Sequence, residues 1–315
     1  MKKRMKRTTT FIVNLCVILF AISSLPLLAQ RVQKAPHEFS VYADGGISTY
    51  CFQPSTKGVL FAEFRSTNKP GFKINSSVGF SSELGFGFTG FLSRQVGIHT
   101  GVGFGMLNVK SKANLYSITP SYTGTGYPCD LHIKLMGYTE IHRTMFVTIP
   151  VMLQFQTRQK QYWNLSKSQK AGFYAQGGVK LHFLFNNKYA AGVDTLFRAA
   201  YFPELDNWAA TQKFAGLGKM DGNKTDGSLD FGTMALFACE AGVKWRIDNN
   251  IFVYTGVFFD CALNDPLKKD NRKSYESYIN LQDFEELTLL KFSERINLMV
   301  VGIRIRAAFT KYQRF

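Results

Sequence analysis

Val78-Gly-Phe-Ser-Ser-Glu-Leu-Gly-Phe-Gly-Phe-Thr89, followed after Ser93-Arg94-Gln95 by Val96-Gly-Ile-His-Thr-Gly-Val-Gly-Phe-Gly-Met106, alternates without a break. Val78, Phe80, Ser82, Leu84, Phe86 and Phe88 share one parity. Gly79, Ser81, Glu83, Gly85, Gly87 and Thr89 share the other. A period of two is the mark of a β-strand with two unlike faces. The short polar link between the two runs makes them consecutive antiparallel strands.

Working outward, the same alternation recurs six more times. Upstream, Phe39, Val41, Ala43, Gly45 and Ile47 alternate with Ser40, Tyr42, Asp44, Gly46 and Ser48. Downstream, one face runs through Ile141, Arg143, Met145, Val147, Ile149, Val151, Leu153 and Phe155, and the next through Phe173, Ala175, Gly177, Val179, Leu181, Phe183 and Phe185. A sixth strand carries Phe231, Ala235, Phe237, Ala241, Val243 and Trp245; the Asp248-Asn249-Asn250 turn leads to a seventh with Ile251, Val253, Thr255, Val257 and Phe259. Asn and Asp suit such a turn because they tolerate positive φ. The last strand pairs Val301, Ile303, Ile305, Ala307 and Phe309 with Gly302, Arg304, Arg306 and Ala308.

The two faces differ in charge, and that difference locates the solvent. One is almost free of charge, with Arg143 the main exception. The other gathers Asp44, Glu83, His99, Lys180, His182, Glu240, Lys244, Arg246, Asp260, Arg304 and Arg306. A soluble ligand-binding barrel would place charge outside and apolar residues within. Apolar outside with polar inside fits only where the outside is lipid. The expected fold is therefore all-β: a closed antiparallel up-and-down transmembrane barrel of about eight strands, the smallest common size. Glycines beside the charges leave room for long side chains in a narrow lumen.

Loop lengths point the same way. The links near 93–95, 157–170 and 248–250 are short; those near 53–73, 111–137, 187–230 and 265–293 are long. Short periplasmic turns alternating with long outer loops are usual for such barrels, and this places both termini in the periplasm. The first 29 residues read as a signal peptide, with Lys2, Lys3, Arg4, Lys6 and Arg7 before an apolar stretch that closes on Ala29. That stretch falls short of the roughly 20 apolar residues of a spanning helix. Residues 30–315 then form one barrel domain. Without the leader's five basic residues, 33 remain against 22 acidic ones, so the formal charge drops from +16 to +11. Export argues against nucleic acid as the partner of this basic chain, and outer-membrane lipid and lipopolysaccharide phosphates are the expected one. Cys51, Cys129, Cys239 and Cys261 lack the spacing of a zinc site, while an oxidising compartment permits a Cys51–Cys129 disulfide.

Several segments resemble an outer-membrane β-barrel family of Bacteroidetes that includes OmpX-like and PorT-like barrels. They are Phe39-Ser-Val-Tyr-Ala-Asp-Gly-Gly-Ile-Ser48, Gly97-Ile-His-Thr-Gly-Val-Gly103, Thr148-Ile-Pro150, Phe173-Tyr-Ala-Gln-Gly-Gly-Val-Lys-Leu181, Glu240-Ala-Gly-Val-Lys-Trp245, Tyr254-Thr-Gly-Val-Phe258 and Ala262-Leu-Asn264. The resemblance implies an outer-membrane barrel with a periplasmic N-terminus and no single activity. Many outer-membrane proteins end on an in-register aromatic; Phe309 fits the strand register, while Phe315 is terminal.

Candidate chemistry follows from these placements. His99, His182, Glu83, Glu240 and Asp260 can be an acid–base site or a proton path, or the lumen charges can be a structural ion-pair network with Lys180, Lys244, Arg246, Arg304 and Arg306; the network is the expectation, since buried charges must be paired. No Ser-His-Asp spacing falls on one rim, and no catalytic, cofactor or metal motif stands out, so a lipid-modifying enzyme ranks behind a structural or protein-interaction barrel. A narrow solute channel is the other alternative. Tyr201, Phe202 and Trp208 in the aromatic-rich 187–230 loop either pack the loop against itself, as a lid over the barrel mouth, or are the candidate contact for a protein partner. Lys268, Lys269, Arg272 and Lys273 in the 265–293 loop read by default as a solvated loop, with a grip on lipopolysaccharide phosphate as the alternative.

Overall fold

The computed structural model describes residues 37–54, 71–93, 95–122, 126–157, 170–212, 215–221, 224–248, 250–267 and 293–310. The leader, Lys268, Lys269, Arg272, Lys273 and Phe315 lie outside the described residues. Twelve strands are present among them. Eight are long: β1 (His37–Pro54), β2 (Gly71–Phe91), β3 (Val96–Tyr122), β4 (Pro128–Gln156), β5 (Ala171–Gly192), β10 (Thr233–Arg246), β11 (Ile251–Ala262) and β12 (Ser293–Thr310). Four are short: β6 (Thr195–Phe202), β7 (Asn207–Ala209), β8 (Gly218–Asp221) and β9 (Lys224–Ser228).

The eight long strands close into a ring. Each pairs antiparallel with its neighbour in the order β1, β2, β3, β4, β5, β10, β11, β12, and β12 returns to β1. No long strand is left with an open edge along the shared barrel wall, which is how a closed sheet satisfies its backbone. The strands are also tilted. Following directly opposed residues from Lys188 through Arg143, Asn108, Phe80, Ile47, Val301, Phe259 and Cys239 returns to β5 at Gly177, well short of the start. That stagger is the shear a barrel needs to close.

Alternation sets the two faces as expected. Phe86 is 71% exposed and Phe173 70%, with Leu84, Val257, Ile303 and Ile305 also outward, whereas Glu83, Lys180, Glu240 and Arg304 are buried inside. A β-bulge breaks the parity of β5: Arg143 opposes Lys188 and Met145 opposes Phe185, so one residue of β4 faces two of β5. Asn186 takes φ 51° there, a left-handed conformation that Asn accepts more readily than most residues. Gly137 at φ 70° breaks β4 in the same way, next to the register shift at Ala113. Beyond each bulge, inward and outward residues exchange parity.

Several expectations need correction. The 111–137 segment is no loop, because β3 continues to Tyr122 and β4 begins at Pro128. Within 187–230, β5 runs to Gly192 and four further strands follow: β6 and β9 pair with the far ends of β4 and β5, and β7 and β8 pair with β6. Phe231 does not open the sixth strand but lies buried beside it, bridging to Leu267. Cys51 and Cys129 are both free. They stand on β1 and β4 with β2 and β3 between, and Cys51 is exposed with its Sγ 3.5 Å from Met299 Sδ while Cys129 is buried. This geometry cannot bring the two sulfurs together without moving backbone.

Candidate functional site: a two-tier lumen and an outer platform

Inward parity brings the predicted lumen charges together at the short-turn end of the barrel. At its floor, Lys244 Nζ donates to Glu38 Oε1 at 2.7 Å and to Gln156 Oε1 at 2.9 Å, while Tyr254 OH donates to Glu38 Oε2 at 2.5 Å. The ammonium also lies 4.2 Å from the Phe252 ring centroid, and Arg246 flanks the same ring at 5.6 Å. Above it, Arg306 donates to Gln154 Oε1 at 3.1 Å and stacks 4.0 Å from the Tyr254 ring. Its Nη1 is 3.2 Å from His99 Nδ1, which also meets Thr89 Oγ1 at 2.9 Å. A guanidinium only donates, so His99 Nδ1 is the unprotonated nitrogen.

Arg304 is the hub of the next layer. Its Nε donates to Asp44 Oδ2 at 2.9 Å and its Nη1 to Glu240 Oε2 at 3.1 Å. Tyr174 OH donates to Glu240 Oε1 and Tyr42 OH to Glu83 Oε1, each at 2.5 Å. Lys180 Nζ meets Asp260 Oδ2 at 2.6 Å. His182 closes the layer by stacking on Phe146, centroids 4.3 Å apart and planes 7° from parallel. Every anion here has a cation or a hydroxyl donor against it, the arrangement that makes burial of charge tolerable. Glycines make the fit possible: a Cβ on Gly103 would collide with the Glu83 carboxylate, the Tyr42 hydroxyl and Thr148.

All eleven predicted lumen residues are buried or nearly so, but they fill only this half. Toward the long-loop end the lumen turns apolar, with Leu107, Val109, Phe146, Met234, Leu236, Phe258, Ile296, Leu298 and Val300 in one buried cluster. Leu236 and Val109 have no exposed surface. Ile133, Leu135, Leu196, Leu229, Phe231 and Leu267 belong to the same cluster, carrying it onto the β4 extension, β6 and the segments flanking β10 and β11. Polar side chains are buried beside it, among them Ser48, Ser111 and Thr144, and Glu140 accepts from Tyr138 OH at 2.7 Å with His142 Nε2 at 2.6 Å.

Sequence reasoning missed Glu38, Gln154 and the phenols Tyr42, Tyr174 and Tyr254. All five lie on the polar parity, so the same alternation that found the charges could have found them. The apolar tier left a weaker signal, a loss of alternation where both parities turn apolar, as in Leu298-Met-Val-Val301.

Outside the ring, β3 and β4 project as a long hairpin. β6 extends its sheet, and β7 and β8 cover the outer edge of β6. Tyr201 is opposed by Asp130 on one side and Trp208 on the other, and its ring lies 4.9 Å from the Trp208 ring. Asp206 turns the chain at φ 44° and accepts from Tyr201 OH at 2.8 Å. That hydrogen bond, with burial, pushes the Tyr201 phenol up from its ordinary pKa. The His132 ring lies 4.6 Å from the Trp208 ring with planes tilted by 58°, and its Nδ1 is 2.6 Å from Tyr116 OH. Burial holds the imidazole below its usual pKa, with Asp130 opposing. Thus Tyr201 and Trp208 join one aromatic surface with His132 and Tyr116, while Phe202, one residue further along β6, falls on the opposite face.

No protein-family profile matches the chain, and no curated protein matches it either. Among solved structures, it is similar to the outer membrane protein OprG from Pseudomonas aeruginosa, at 11% identity over 89% of this chain and 98% of that one, TM-score 0.35. It is also similar to Neisserial surface protein A, at 10% identity over 85% and 95% of the two chains, TM-score 0.25. A third is Ail, the attachment invasion locus protein of Yersinia pestis, at 8% identity over 88% and 100%, TM-score 0.23.

Proposed function

We propose that this chain is an integral outer-membrane barrel, allied to the OmpX-like and PorT-like barrels of Bacteroidetes, that conducts nothing and serves as the membrane anchor of an interaction platform. One contrast carries the reading. The lumen is occupied by two stacked tiers of side chains, and yet β4 runs for 29 residues where about 9–11 suffice to cross a bilayer. Chain length is thus invested in a structured outer sheet rather than in a pore. On that sheet the Tyr201, Trp208, His132 and Tyr116 surface is rich in the aromatic side chains that anchor protein interfaces. An accessory subunit of an envelope or secretion assembly has this division between anchor and contact surface.

The test is affinity purification from cross-linked outer membranes, with a tag inserted between residues 268 and 292. A stoichiometric partner is expected with the native chain and is expected to be lost with the pair Tyr201→Ala, Trp208→Ala. Recovery of the bare barrel, or a partner indifferent to both substitutions, would contradict the platform reading. Altered lipid A or phospholipid masses in a strain lacking the gene would instead favour a lipid-modifying enzyme.

A further inference from the structure

We propose that the outer wall of β3, β4 and β5 carries a binding site for the phosphorylated headgroup of an outer-leaflet glycolipid, formed by Lys110, Lys112, Arg143 and Lys188. All four side chains are exposed on the outward face. Arg143 and Lys188 are directly opposed on neighbouring strands, Asn108 opposes Arg143 from β3, and Lys110 and Lys112 follow Asn108 on the same face. Strands lie about 4.8 Å apart and residues i and i+2 about 6.8 Å. The four cations therefore share a patch about 10 Å by 14 Å, the scale of a phosphorylated sugar headgroup.

Directly opposed like charges on adjacent strands destabilise a sheet. Among the described residues no ion pair relieves Arg143 or Lys188. Asp226, an acid on the same face, opposes Ala190 rather than Lys188. A phosphate between Arg143 and Lys188 converts that repulsion into charge-assisted hydrogen bonds. The bulge matters here as well. Without the extra residue at Asn186, the parity of Lys180 and His182 would carry Lys188 into the lumen; with it, Lys188 turns out beside Arg143.

The surroundings select a lipid over a soluble anion. Immediately toward the short-turn end, the same three strands present Phe104, Met106, Val147 and Phe185, with the Phe104 and Phe185 rings 5.9 Å apart across β4. Cations set on the edge of an apolar wall match a headgroup above its own acyl chains. The patch is also one-sided: β1 and β12 offer Thr49, Cys51, Asn297 and Met299 toward their far ends, and Arg295 there is turned to Asn297 Oδ1 and the Leu263 carbonyl.

The site rests on the membrane placement proposed above, and one experiment separates the two. The full-length chain is placed in phosphatidylcholine nanodiscs doped with bisphosphorylated lipid A, dephosphorylated lipid A or phosphatidylglycerol. Bound lipid is counted by native mass spectrometry, and insertion is followed by the heat-dependent electrophoretic shift of a folded barrel. The native chain is expected to retain bisphosphorylated lipid A about tenfold over the other two. Arg143→Gln with Lys188→Gln removes that preference, and Lys219→Gln on the platform leaves it intact. Equal retention of the three lipids by an inserted barrel overturns the site alone, as does undiminished retention by the double variant. A chain that fails to insert overturns the membrane placement with it.

Discussion

Arg304 shows how a charged side chain becomes a structural element. It lies between Asp44 on β1 and Glu240 on β10, so a single guanidinium bridges and neutralises two buried carboxylates. Removing it leaves both without their main partner. We expect Arg304→Met to cost about 3–5 kcal/mol, read from urea unfolding of the barrel in lipid vesicles, whereas Ile303→Val on the outward face stays within about 0.5 kcal/mol. If the two changes cost the same, the lumen charges contribute nothing beyond filling space. Replacing Asp44, Glu240 and Arg304 together by apolar residues is expected to recover much of the loss, since a buried ion network is costly mainly when half of it is missing.

Among the elements, the β6–β7 hairpin and the β3–β4 extension carry the aromatic surface on one face and the buried Ile133, Leu135 and Leu196 on the other. His132 gives them a pH dependence whose sign is set. Its folded pKa is lowered by burial, so a proton binds the unfolded extension more readily than the folded one. The stabilisation is fully present above the unfolded value near about 6.5 and is lost as pH falls through it toward the folded value. Hydrogen exchange of β6 and β7 amides, corrected for intrinsic rates, is expected to accelerate between about pH 7.5 and about pH 5, and His132→Gln is expected to flatten that change. An unaltered profile in the variant would place the sensitivity elsewhere.

The elements also show where alternation was legible and where it failed. Period two located all eight barrel strands and placed eleven charged or His residues on the face that is buried, because nothing interrupts parity between the short turns and the first bulge. At Asn186 and Gly137 one extra residue reverses the faces, so a strict alternation read through them misassigns everything beyond. The 111–137 and 187–230 segments read as loops for a related reason: their strands bury one face on a local core and do not show lipid-grade apolarity on the other. The apolar upper lumen stayed hidden because an apolar residue looks alike whether it faces lipid or the barrel interior. Glu38 sits at the very start of β1, where a lone carboxylate gives no sign that Lys244 on β10 will reach it.

At the scale of the whole molecule, closure and filling act together. An eight-stranded ring leaves an interior just wide enough for side chains, and this one is filled by an ion network below and an apolar cluster above. Ions entering from the short-turn end would meet compensated charges, then Leu236, Phe258, Leu107 and Leu298 of the buried apolar cluster. Single-channel recording of the purified full-length barrel in a planar bilayer tests this most directly. The expected record is a flat baseline at either polarity for inserted protein. Stable, reproducible conductance steps from the native chain would contradict a sealed lumen and make the barrel a channel.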